Sequence, residues 1–273
     1  MVNKFKRGLF TALLLTITII LSVGCGSTNQ NSKNESSGQS TQKSIKLTVS
    51  AAASLKDSMN EIKQLYIKKH SNVTITYNFG ASGTLQQQIE QGAPVDIFIS
   101  AAVKQMNLLK DKNLLVNTTV KNLLKNDIVL IVPKNSTKVK NFDDLTDDNV
   151  KKVALGEPKS VPVGEYSQDV LKNLKILDNV KSKAVYGKDV KEVLTWVETG
   201  DVDAGIVYKT DALVSDKVKV VASAPKDSHK DVIYPAAVIK GSKNMDEAKE
   251  FINYLSGDEA KKVFEKYGFN VGK

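Results

Sequence analysis

The chain has 273 residues, 25% of them charged, with a net charge of +9, a single cysteine and two histidines. One cysteine excludes an intramolecular disulfide and a cysteine zinc cluster, and two distant histidines supply no metal-ligand set. The lysine excess is not a nucleic-acid footprint, because Arg7 is the sole arginine and the lysines are scattered among carboxylates instead of clustering with aromatics.

Residues 1–24 are expected to be a lipoprotein signal peptide. Lys4, Lys6 and Arg7 precede an apolar run from Leu9 to Leu21, and Ser22-Val23-Gly24-Cys25 reads as a lipobox with Cys25 as the lipidated N-terminus. The run spans about 13 residues, short of the roughly 20 that a membrane span needs. Setting aside its three cations leaves +6, a solvated lysine-rich surface that steers anions mildly inward. Residues 25–44 are polar and low in complexity, which predicts a flexible tether.

From Ile45 strand and helix patterns alternate. Ile45–Ser50 is strand-like, Ser54–His70 places Leu55, Met59, Ile62 and Tyr66 at helical spacing, and Val73–Tyr77 alternates again. A helix at Thr84–Gln91, a strand at Val95–Ser100 and a helix at Val103–Lys110 follow. Ile128 to Val132 is too apolar to have a wet face and reads as a central strand. Strands at 151–155, 184–186, 204–208 and 218–222 then alternate with helices at 164–174 and 189–199. A strand at 232–239 and helices at 245–255 and 257–267 close the chain. This succession predicts an α/β fold with mostly parallel sheets wrapped by helices.

One device occurs twice: a strand empties into small residues, a serine follows, and a helix begins. The copies are Val49-Ser50-Ala51-Ala52-Ala53-Ser54-Leu55 and Phe79-Gly80-Ala81-Ser82-Gly83-Thr84-Leu85. A helix start carries roughly half a positive charge and unpaired N–H donors, so it seats an anion. Ser54 is an anion ligand or only a helix N-cap, and Ser82 a ligand or part of a bare turn; the flanking small residues, which let a ligand approach the backbone, favour the ligand. Val161-Pro162-Val163-Gly164 and Lys188-Asp189-Val190 look like further helix starts, with Asp189 as cap and the Val190 N–H available. Tyr208 ends a strand as a phenol at the sheet edge or as a packed core residue.

A serine nucleophile is the competing chemistry. The hydrolase elbow needs Gly-x-Ser-x-Gly, but Gly83 arrives one position early, and His70, at a helix end among lysines, is expected to be a solvated cap and not a base. Asp96, inside an apolar strand, is expected to be structural.

Ala51-Ala52-Ala53-Ser54-Leu55, the segment Phe79 to Ser100, Gly156-Glu157-Pro158 with Val161 to Tyr166, Gly205-Ile206-Val207-Tyr208, Asp227 to Lys230 and Tyr267-Gly268-Phe269 resemble, in order, the molybdate-binding proteins of ABC importers. The resemblance implies a two-lobed type II periplasmic-binding-protein fold with the ligand in the interlobe cleft. It implies lobe I at 45–126 plus 229–273 and lobe II at 127–228, with hinges near 126–128 and 226–230. Position by position it places ligand contacts at Ser54, Ser82, Val163, Val190 and Tyr208, with Val163 standing where relatives often have alanine. It implies capture of molybdate, and of tungstate, for delivery to a membrane permease by a lipid-anchored monomer outside the cell membrane. No reaction, cofactor or direct protein–metal bond is expected, molybdenum entering only as the oxyanion. The alternatives are a receptor for sulfate or phosphate, a serine-dependent hydrolase, or the effector domain of a transcription regulator, whose DNA-binding module would stand where the export signal is.

Overall fold

The computed structural model describes residues 43–271. The expected signal peptide, Cys25 and the tether up to residue 42 lie outside the described residues. In chain order β1 (Ile45–Ala52) passes through one 3-10 turn (Ala53–Leu55) into α1 (Lys56–Lys69), and β2 (Val73–Gly80) leads to α2 (Ser82–Glu90). Next come β3 (Ile97–Ile99), α3 (Val103–Asp111), β4 (Lys121–Asn126), β5 (Ile128–Pro133) and β6 (Val153–Gly156). They are followed by α4 (Pro162–Asn173), α5 (Leu177–Lys181), β7 (Ala184–Gly187), α6 (Val190–Thr199), β8 (Ala204–Tyr208) and α7 (Lys209–Leu213). The chain ends with β9 (Val218–Ser223), β10 (Val232–Val238), α8 (Met245–Leu255), α9 (Asp258–Lys266) and β11 (Asn270–Val271).

The apolar periodicities account for the helices and strands they predict. Leu55, Met59, Ile62 and Tyr66 form one stripe and are fully buried, each aliphatic side chain contributing about 1.5–3 kcal/mol of transfer free energy. Ile128 to Val132 lie in β5 between β8 and β9 and are covered on both faces. β4, α5, α7 and β11 were not anticipated. β4 has only Leu123 and Leu124 as an apolar signal, and the other three are too short to show a period.

The strands form two sheets, ordered β11-β4-β10-β3-β1-β2 and β7-β6-β8-β5-β9. The expectation of mostly parallel sheets needs correction, since only the β1–β2, β1–β3, β6–β7 and β6–β8 pairings are parallel and the other five are antiparallel. The reason is connectivity. The chain passes between sheets at Asp127, directly after β4, and again between Ser223 and Val232. A strand that has just crossed starts at the gap and can only run away from it, so β5 and β10 oppose their neighbours on both sides. The strands of the βα units all run toward the gap, and the helices that follow them begin there.

Candidate functional site

The ends of β1, β2 and β3 from one sheet and of β6, β7 and β8 from the other converge on one small cavity, the position where α/β sheets hold ligands. Its wall is made by Ala52–Ser54, Gly80–Ser82, Ala101, Val161–Pro162, Asp189–Val190 and Tyr208. The cavity has a volume of about 200 Å³, room for one small guest.

Four of the five residues singled out from the sequence line this cavity: Ser54, Ser82, Val190 and Tyr208. Ser54 makes no capping bond. Its Oγ lies 2.8 Å from Tyr234 Oη, and the residue is buried. Ser82, the first residue of α2, accepts the Ala101 N–H at 2.9 Å. Tyr208 ends β8, is 2% exposed, and its Oη has no partner among the described residues. Burial holds its pKa well above that of an ordinary phenol, so it keeps its proton. Asp189 caps α6 by accepting the Glu192 N–H at 3.0 Å, and Glu192 accepts the Lys188 N–H at 2.7 Å. The N–H of Val190, in the first turn, has no acceptor within its own helix.

Val163 is the exception. It is the second residue of α4 with a fully buried side chain, while its predecessors Val161 and Pro162 form the wall. Its main-chain N–H, in the first turn, has no acceptor within α4, whereas those of Gly164 and Glu165 donate to the Val161 carbonyl at 2.9 and 3.3 Å. Gly164 permits this seating, because a β-carbon there would overlap the Gly156 carbonyl at the end of β6.

Contacts across the gap were not visible in the sequence. The Gly83 N–H donates to the Ser160 carbonyl at 2.9 Å. Lys191 Nζ reaches Asp57 of α1 at 2.8 Å and lies 3.2 Å from Asp211. Asp211 is fully buried, and although Lys191 is within ion-pair distance, neither carboxylate oxygen has an aligned hydrogen bond. For Lys191, burial disfavours the charge, but Asp211 and Asp57 outweigh it and its pKa is raised. For Asp211 burial dominates over Lys191 and the pKa is pushed up to about 6.

A carboxyl with a folded pKa above its unfolded value binds more protons folded than unfolded, so its contribution to stability falls as pH rises through that window. Stability should therefore shift in favour of Asp211→Asn over the wild type as pH rises from about 4 to about 6. Melting temperatures of both proteins across this range provide the check. A wild type that gains on the variant would mean that Lys191 dominates and the Asp211 pKa is lowered.

The cavity wall contains no lysine and no histidine, and its one carboxylate, Asp189, is occupied as a cap. What it offers are neutral hydroxyl and amide donors. Neither serine has a histidine partner: His70 stacks on Tyr66 at 4.0 Å, and His229 Nδ1 lies 2.7 Å from the Lys230 carbonyl with its ring edge-on to Tyr166. His70 is thus a half-buried C-cap and not the solvated one expected. Asp96 accepts the Thr48 N–H at 2.7 Å and the Ser242 hydroxyl at 2.5 Å, a structural role. A larger groove of about 1400 Å³ opens between α3 and α4, but Lys104 and Glu165 in its wall are paired with each other at 2.9 Å.

Two sheets joined by two crossings, with helix starts and hydroxyls from both around one small cavity, define a two-lobed solute-binding protein of the type II fold. Residues 47–270 match the family of bacterial extracellular solute-binding proteins, and the chain belongs to that family. It is a solute-binding protein and not an enzyme. YvgL of Bacillus subtilis (strain 168), named as an ABC transporter substrate-binding lipoprotein, is 48% identical over 97% of this chain and 98% of its own. The molybdate-binding protein ModA of Haemophilus influenzae is 41% identical over 84% of this chain and 91% of its own. A solved structure named as the substrate-binding domain of a molybdenum ABC transporter from Clostridium difficile is 50% identical, with a TM-score of 0.66, covering 84% of this chain and 100% of that one.

Proposed function

We propose that this protein captures molybdate, and tungstate, in the cavity between its lobes and delivers it to an ABC permease. The hydroxyls of Ser54, Ser82 and Tyr208 and the main-chain N–H groups of Val163 and Val190 hold the anion. The observation that carries this is the direction of the hydrogen bonds. Ser82 already accepts a backbone N–H and Tyr208 has no partner, so both have a hydrogen to give and neither requires one. A fully deprotonated tetrahedral dianion satisfies such a wall, each charge-assisted bond contributing about 1.5–3 kcal/mol.

The moving bodies are residues 45–126 plus 229–273 and residues 127–228, hinged near 126–128 and 226–230. The protein acts as a monomer held to the outer face of the cell membrane by lipid on Cys25.

Calorimetric titration of the chain from Cys25 onward with molybdate, tungstate, sulfate and phosphate tests the reading. Molybdate and tungstate should bind, with sulfate and phosphate weaker by about a hundredfold or more, a gap of at least ~2.7 kcal/mol. Equal or tighter binding of sulfate or phosphate would keep the receptor and replace its solute.

A further inference from the structure

The hydrogen bonds behind Ser54 have a direction that the backbone sets. The Asp127 N–H, at the first crossing between the sheets, donates to Asn126 Oδ1 at 2.9 Å. This turns the amide so that Asn126 Nδ2 faces the other way, donating to Thr210 Oγ1 at 2.8 Å and to Tyr234 Oη at 3.3 Å. Tyr234 is fully buried in β10, and burial holds its phenol protonated. Its oxygen receives a hydrogen from Asn126 and has one to give, and its only other polar partner among the described residues is Ser54 Oγ at 2.8 Å. Were Ser54 the donor, the Tyr234 hydrogen would be left buried without an acceptor, which is the costlier arrangement.

Resting on the anion-receptor reading above, we infer that Asn126 and Tyr234 are positioning residues that fix Ser54 as a donor toward the bound anion and so select a fully deprotonated anion over a protonated one of equal charge. The chain of donation runs from Asp127 N–H through Asn126 and Tyr234 to Ser54, and its last hydrogen points away from the protein. A protonated anion brings a hydrogen of its own to two serine oxygens, Ser54 and Ser82, that each already accept one. Ser82 is set the same way by the Ala101 N–H. Neither Asn126 nor Tyr234 forms part of the cavity wall, so they act through Ser54 and not by contact.

The test compares molybdate with hydrogen phosphate, both dianions, by titration at pH 8, where phosphate carries a single proton. The measured quantity is the dissociation constant of hydrogen phosphate divided by that of molybdate. Tyr234→Phe removes the donor that occupies Ser54 and lets the serine accept. The ratio should fall by about tenfold, the worth of one hydrogen bond. Asn126→Asp replaces the donor with an acceptor, so Tyr234 turns to the carboxylate, Ser54 donates to Tyr234, and its lone pair faces the cavity. The added charge repels both dianions alike, and the ratio should fall at least as far as in Tyr234→Phe.

A ratio within twofold of the wild type in both variants would overturn the inference, as would a neutron structure with the shared deuterium on Ser54. A wild type that binds no tetrahedral dianion would instead overturn the receptor reading, and this inference with it, before any variant is compared.

Discussion

Gly83→Ala should weaken anion binding by about a hundredfold, ~2.7 kcal/mol, without loss of the fold. A β-carbon at position 83 would stand 2.6 Å from the Ser160 carbonyl oxygen and 2.8 Å from its α-carbon. Both are main-chain atoms and cannot swing aside, so the methyl acts as a wedge at the point where the Gly83 N–H meets the Ser160 carbonyl. The cost falls only on the arrangement in which the two sheets' loops touch. With the lobes apart the same substitution is mildly favourable, since Gly83 lies in the first turn of α2 and alanine is the better helix former. Titration and ligand-free melting therefore move in opposite senses. Small-angle scattering should show a variant that no longer contracts when molybdate is added. Wild-type affinity in the variant would mean that Ser160 can retreat and that this contact does not limit closure.

Tyr208→Phe should also separate binding from stability. The Tyr208 hydroxyl is buried in the cavity wall without a partner, and leaving such a group unsatisfied costs about 1–3 kcal/mol. The cost makes sense if a ligand supplies the missing acceptor. Removing the hydroxyl deletes one charge-assisted bond, so affinity for molybdate should fall by about ten- to a hundredfold. The ligand-free protein should melt at the same temperature or higher, because the unsatisfied group is gone. If affinity is unchanged and the ligand-free protein melts lower, Tyr208 is a packing residue, its Tyr234 neighbour with ring centroids 5.9 Å away being the contact that matters.

Most of the elements were legible because their signals are local. The stripe from Leu55 to Tyr66 and the alternation at Val73 and Ile75 are short-range patterns, and burial follows them. Asp189 is an N-cap on sequence grounds and caps α6 through Glu192 in the structure. β4 was missed because Leu123 and Leu124 are adjacent and show no period, although the strand pairs with both β10 and β11. The direction of β5 was equally hidden, since an apolar run reads the same whichever way its neighbours point.

The candidate site divides in the same manner. Ser54 and Ser82 stand out because a small-residue turn before a helix is a contiguous pattern, and Val190 because it directly follows the cap Asp189. Ser54 was left open between ligand and cap, and no local feature could decide it: its partner Tyr234 lies 180 residues away on another strand. Lys191 is an unremarked lysine in sequence until α6 is seen to bring it to Asp57, 134 residues distant.

The residues alone reveal most of the strands and helices, place the helix starts to within a residue or two, and show that two of those starts are rich in small residues and hydroxyls. Those properties depend on φ/ψ preference, capping and periodicity over a few neighbours. Folding in three dimensions is what brings six strand ends from two sheets to one cavity, Gly83 to Ser160, and Asn126 and Tyr234 behind Ser54. These are pairings between distant positions, set by how two sheets share one chain across two crossings, and no local stretch of residues carries the identity of its partner.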